Sequence, residues 1–262
     1  MKPLRIATVC VGTGLLVQAS LACPFCTRQT TGLFIGETQL LGNGSIRSWV
    51  FLDDNAKPTS VGITFTDTAL TGLPENKPVN GMDGYEFVLK LPKEAAATAL
   101  KHVSVDWNPK GHIPPGVYDV PHFDVHFYMA TTKERMKMTL DEASLKKFQK
   151  KPPAKLLPGG YIYALQGEVK YMGAHWVDVA SPEFKGSPFT HTFIYGTYDA
   201  KVIFIEPMVT KSFLETKAAV DAPIKQPETY QFAGKYFPTK YTVHYNPQRH
   251  EYTIALESFV RR

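Results

Sequence analysis

Cysteine is scarce in this chain. Its 262 residues hold three, at positions 10, 23 and 26, too few for a disulfide scaffold. No uncharged apolar run reaches the roughly 18 residues a membrane-spanning helix needs. Charge of one sign is in small excess, +5 overall, and evenly spread, which argues against a nucleic-acid partner. A phosphate loop, a dinucleotide fingerprint and a nucleophile elbow are all missing. Disorder is excluded by composition, because 44% of residues are apolar and only 20% charged. What is abundant is Gly and Pro, 19 and 20 residues, together with 16 Phe and 13 Tyr. That balance suits a turn-rich β protein with an aromatic core.

The first 22 residues read as a signal peptide. Lys2 and Arg5 form a positive head, residues 6–17 an apolar run, and Ser20-Leu21-Ala22 a small-residue cleavage site. Cleavage after Ala22 is expected to deliver the chain to the periplasm or the exterior and to leave a net charge of +3. Cys23 would then be first. The residues before it, Ser20 and Leu21, fit a lipoprotein box poorly. Cys23-Pro24-Phe25-Cys26 has the spacing of a thioredoxin- or glutaredoxin-type pair, but such a pair needs a strand before it and a helix after it. A Cys23–Cys26 disulfide in an oxidising compartment is therefore the first reading. Thiol redox chemistry and a lipid link at Cys23 are the alternatives.

In the remaining chain, strand signals dominate. Residues 33–41 and 45–52 flank Gly42-Asn43-Gly44, a strong hairpin signal. Further strands are expected over 61–66, 85–91, 103–107, 114–129, 161–165, 167–172, 189–195, 201–205, 241–245 and 252–260. Short helices are expected over 93–101, from Asp141-Glu142 to the Pro152-Pro153 stop, and over 209–216. Residues 217–227 read as a surface excursion. The fold class is mainly β: an antiparallel barrel or sandwich with a few short helices. One domain over 23–262 is expected, with two intertwined halves meeting near residue 110 as the alternative.

The chemistry concentrates in Pro121-His122-Phe123-Asp124-Val125-His126-Phe127-Tyr128. In a strand, side chains alternate faces. Phe123, Val125, Phe127 and Met129 must then be core. His122, Asp124, His126 and Tyr128 occupy the other face, where an ordinary surface would carry Lys, Thr or Ser. Neighbours on one face stand about 6.7 Å apart, so His122 and His126 are about 13 Å apart in a regular strand. Residues two apart can share a metal. Further ligands must come from other segments, because zinc takes three or four. His175 and Asp178, His112, His191 and Glu206 qualify; Glu206 lies in an otherwise apolar run and needs a partner. The expected site is a divalent metal, zinc first, held by His122, Asp124, His126 and His175. Tyr128 and Glu206 are the candidate proton-handling groups. A buried hydrogen-bond network on the same face is the competing reading.

Residues 121–128, Met172-Gly173-Ala174-His175-Trp176, and the stretch from Tyr195-Gly196-Thr197 through Glu206-Pro207-Met208 resemble a bacterial family of uncharacterised proteins named after a hypothetical protein of Thermus thermophilus. The resemblance spans roughly residues 105–260. It implies a folded, β-rich, oligomeric protein and adds no reaction. Three functions follow as expectations. One is an exported metal-binding protein, or metal-dependent enzyme, acting on a small polar substrate. Another is a non-catalytic homo-oligomer built around a buried His/Asp network. The third is a thiol redox protein using Cys23 and Cys26.

Overall fold

The computed structural model describes residues 30–78 and 82–262. The expected signal peptide and the Cys23/Cys26 pair lie outside the described residues. The first hairpin forms as its turn residues dictate. β1 (Gly32–Leu41) pairs antiparallel with β2 (Gly44–Leu52), closing at Leu41 opposite Gly44. Gly42 turns with φ +52°. A side chain there would meet the Ala69 and Thr71 carbonyl oxygens within 2.5 Å, so both backbone and space require glycine.

Further strands are β3 (Pro58–Thr66), β4 (Tyr85–Lys90), β5 (His102–Asn108), β6 (His122–Tyr128), β7 (Tyr161–Val169), β8 (Gly173–Asp178), β9 (His191–Tyr198) and β10 (Lys201–Thr210). β11 (Val220–Pro223), β12 (Tyr236–Phe237), β13 (Lys240–Asn246), β14 (Glu251–Glu257) and β15 (Val260–Arg261) complete the set. Two large antiparallel sheets result. One runs β1-β2-β3-β14-β13-β11, the other β4-β5-β6-β10-β9-β8-β7, and β12 pairs with β15 apart from them. The sheets face each other as a sandwich and do not close into a barrel.

Between them lies one apolar cluster. Val103, Val105, Trp107, Phe123, Val125, Phe127, Ile205 and Val209 come from the seven-stranded sheet; Ile46, Val50, Ile63, Phe65, Ile254 and Leu256 come from the six-stranded one. Phe123 stacks near Phe65 across the gap, with ring centres 5.9 Å apart, and against Trp107 at 4.8 Å. Full burial of each such side chain stabilises by roughly 2–3 kcal/mol.

Several local expectations change in three dimensions. Residues 93–97 form a 3-10 turn, not a longer helix, and residues 114–120 form a loop that precedes β6. The segments 161–165 and 167–172 contribute to one bulged strand, β7, whose register slips between Tyr163 and Glu168. β10 continues through Pro207 to Thr210. Proline cannot donate to a ladder, which is why the sequence expectation ends at residue 205. Residues 220–223 of the expected surface excursion join the six-stranded sheet against β13.

The seven-stranded sheet is covered on its other face too. Every residue of β5 and β6 is buried. The roof comes from the loop between β5 and β6 and from the long β6–β7 connection. That connection carries α1 (Thr132–Arg135) and α2 (Glu142–Phe148). Met138 and Phe148 pack there with Tyr128, Ala174 and Phe204; Tyr118 and Phe189 pack with Ile194 and Met208. A capping box at Thr131 and Glu134 opens α1, and Asp141 caps α2, each satisfying amides the first turn leaves free. α3 (Lys211–Glu215) follows β10 directly.

Candidate metal centres

Alternation on β6 places Phe123, Val125 and Phe127 in the inter-sheet core and His122, Asp124, His126 and Tyr128 beneath the roof. Strand register then aligns this face in rows. β5 sets Asn108 opposite His122, Asp106 opposite Asp124, Ser104 opposite His126 and His102 opposite Tyr128. On the other side, β10 sets Thr210 opposite His122, Met208 opposite Asp124 and Phe204 opposite Tyr128. The same register brings Glu206 beside His126.

The four sequence-derived ligands divide between two groups. In the first, His112 reaches from the roof loop to His122 and Asp124. The His122 Nδ1 lies 2.6 Å from the Val120 carbonyl, and the His112 Nδ1 lies 2.7 Å from the Ile113 carbonyl. A carbonyl only accepts, so each Nδ1 carries the ring proton and each neutral ring turns an Nε2 lone pair inward. Those two Nε2 atoms are 3.0 Å apart. Asp124 Oδ1 is 3.0 Å from one and Oδ2 is 3.2 Å from the other. Asn108 Nδ2 donates to Asp124 Oδ2 at 2.7 Å. Two ring lone pairs and the two oxygens of Asp124 thus converge with no proton left to share, unless one ring is charged. Burial opposes a charge on His112, yet Asp124 beside it tips its pKa upward. Burial likewise opposes charge on Asp124, but His122 and His112 hold its carboxyl well below the usual range. A proton on one ring or a metal ion at the centre relieves this repulsion.

The second group is His126, His175 and Glu206. β8 brings His175 opposite Gly196 of β9, and Gly196 in turn opposes Phe204. A side chain at Gly196 would stand 1.9 Å from the Phe204 ring; its absence lets that ring lie flat on the sheet. His175 Nδ1 is 2.8 Å from the Gly167 carbonyl, so its Nε2 is the free lone pair. That atom is 3.9 Å from Glu206 Oε2, and His126 Nε2 is 3.4 Å from the same oxygen. Asp106 Oδ2 stands behind His126, 3.1 Å from Nδ1. Burial pulls the pKa of His126 and His175 down to about 4. It pushes the Glu206 and Asp106 carboxyls well above the usual range, helped by neighbouring carboxylates. The His126 ring is sandwiched, with Tyr128 nearly parallel at 5.5 Å and Phe204 edge-on at 4.8 Å.

In each group the ligand atoms lie within 4.8 Å of one another, so each could hold a metal ion. A pocket of about 350 Å³ runs past both. His112, Asp124 and His175 line it alongside apolar Ile113, Leu165, Met172 and Val177. The remaining sequence candidates lie elsewhere or play other parts. Tyr128 turns its hydroxyl to the Met172 carbonyl at 3.4 Å and its ring under the Arg135 guanidinium. His191 bonds the Tyr241 hydroxyl at 2.8 Å on the inter-sheet side. Asp178 pairs with Lys225 at 2.5 Å. Asp106 escaped the sequence reading, although the alternation of His102, Ser104, Asp106 and Asn108 with Val103, Val105 and Trp107 is visible in β5.

Comparison with known proteins gives a single finding about ancestry. No curated protein and no solved structure matches the chain. Residues 53–107 match the family model described as TTHB210-like, hypothetical protein TTHB210. The matched stretch covers β3 to β5, carries Asp106, and ends before the histidine-rich strand whose motifs bear the resemblance noted in the sequence. It is to this uncharacterised family that the chain is similar.

Proposed function

We propose that this is an exported metal-binding protein whose His112, His122 and Asp124 hold a divalent cation, zinc first, at the wall of the pocket. The carrying observation is the 3.0 Å approach of the two Nε2 atoms while both Nδ1 atoms face carbonyls. Like lone pairs repel at that distance unless a proton or a metal ion lies between them, and two imidazoles with a carboxylate are a metal-ligand set. Imidazole and carboxylate ligands suit zinc, and three protein ligands leave a coordination position open. The pocket gives that position a place for a small substrate with one polar end. A metal there would acidify a bound water or polarise a carbonyl, which suits a metal-dependent reaction on a small polar molecule. The test is metal analysis of untagged protein, with and without His122→Ala. Loss of one ion per chain in the variant is expected. Equal metal content in both proteins would overturn the reading.

Export rests on the positive head, apolar run and cleavage site of residues 1–22. The mature chain should begin at Cys23 by intact mass; a retained Met1 or a lipid on Cys23 would refute this. Among the described residues no helix is long and apolar enough to cross a membrane. Self-association of copies is a second reading. Leu33, Ile35 and Leu40 on edge strand β1, and Ile162 and Leu165 on edge strand β7, are exposed apolar residues that favour it.

A further inference from the structure

We propose that His126, His175 and Glu206 form a second, inner metal centre, so that each chain holds two transition-metal ions at separate sites. This goes beyond the outer site at His112, His122 and Asp124 and does not depend on it. The side chains of His126 and Glu206 are each 1% exposed. Neither His126 nitrogen nor Glu206 Oε2 has a hydrogen-bond partner. They stand close to one another, but their angles miss hydrogen-bond geometry. One ligand atom from each of His126, His175 and Glu206 lies within 4.8 Å of the others, close enough for one ion to bind all three. Leaving such groups buried and unpaired is costly, and one ion between them satisfies two of these atoms, His126 Nε2 and Glu206 Oε2, with His175 Nε2 as the third ligand.

The surroundings fit a metal as well. Asp106 Oδ2 stands 3.1 Å from the far nitrogen of His126, the place where metal-bound imidazoles commonly keep a carboxylate. Arg135 is the nearby buried cation, and it is paired with Glu86. Among the described residues neither Asp106 nor Glu206 has a Lys or Arg partner; both stand against histidines. Two imidazoles and one carboxylate select zinc, iron, nickel or copper over calcium or magnesium.

The two centres share no ligand. Both oxygens of Asp124 point to His112 and His122, and the nearest inner ligand, His126, sits one strand repeat away, about 6.7 Å. Bridged ions stand only about 3.5–4 Å apart. The inner ion is walled by Tyr128 and Phe204 and reached past His175, whose side chain is 15% exposed. It should leave more slowly than the outer ion when a chelator is added.

The experiment uses untagged full-length protein loaded with zinc chloride, dialysed, and assayed for bound zinc. Two ions per chain are expected, released in a fast and a slow phase. Glu206→Gln keeps the shape of the side chain and should lose the slow phase alone; His122→Ala should lose the fast phase alone. His175→Ala, at the rim of the group, repeats the test should the buried glutamine variant not fold. One ion that survives His122→Ala and vanishes in Glu206→Gln or His175→Ala upholds the inner centre and removes the outer one. An ion count unchanged by Glu206→Gln and His175→Ala, one ion lost only in His122→Ala, or no bound zinc at all overturns the inner centre.

Discussion

The two sheets of the sandwich use the same backbone pattern for opposite ends. In the six-stranded sheet, β2 alternates plainly: Ile46, Ser48, Val50 and Leu52 are buried and their neighbours half-buried or exposed. Its outer face is ordinary, with Arg47 paired to Glu251 and Trp49 donating to Thr64. In the seven-stranded sheet, β5 and β6 are buried on both faces, yet only one of those faces is apolar. A sheet needs one apolar face to fold. Roofing the second face with loops, over histidines and carboxylates, adds a desolvation cost that no packing argument explains. The difference separates what the fold requires from what the fold carries.

That contrast can be broken at its strongest point first. Phe123→Ala strikes the shared inter-sheet core and should destabilise by about 3–5 kcal/mol, equally with and without a chelator in urea unfolding. A chelator-dependent loss would mean that core and roof are not energetically distinct. Next comes pH. Burial, then the Arg135 charge, lowers the pKa of His102 from its ordinary 6.5 to about 4. The ring accepts from Arg135 Nη1 at 3.2 Å and stays neutral in the fold. Below pH 6.5 the unfolded chain protonates this histidine while the folded chain does not. Its contribution is thus complete above about 6.5 and lost as pH falls towards 4, on the order of 3 kcal/mol. In chelated protein the stability gap between parent and His102→Gln should shrink over that window; a constant gap contradicts the argument. The smallest effect belongs to the outer face of the other sheet. Arg47→Ala breaks a partly exposed ion pair and should cost about 0.5 kcal/mol, with bound metal unchanged. A measurable loss of metal would show the two sheets to be coupled.

Much of this division is legible in the residues. The hairpin at Asn43 and the alternation of Phe123, Val125 and Phe127 against His122, Asp124 and His126 need only turn chemistry and a period of two. The strand spacing also makes one site spanning His122 and His126 awkward, and the structure divides them between two groups. What the sequence hides is pairing. Glu206 meets His126 only because β10 runs on past Pro207 in register with β6. His175 needs β8 seated against Gly196. Asp106 joins from a strand twenty residues before His126, and His112 arrives on a loop whose path is set by the roof. These are contacts between segments, and no local propensity encodes them.

The aromatic walls of the inner group have a spectroscopic consequence. The His126 imidazole lies nearly parallel to the Tyr128 ring and against the edge of Phe204. Ring currents from both will displace its carbon-bound protons from the crowded aromatic region of a proton NMR spectrum. A metal ion bound at Nε2, as proposed, would alter those same resonances. The proposed inner centre would thus have its own reporter, readable in the unmodified chain without dye, tag or engineered probe.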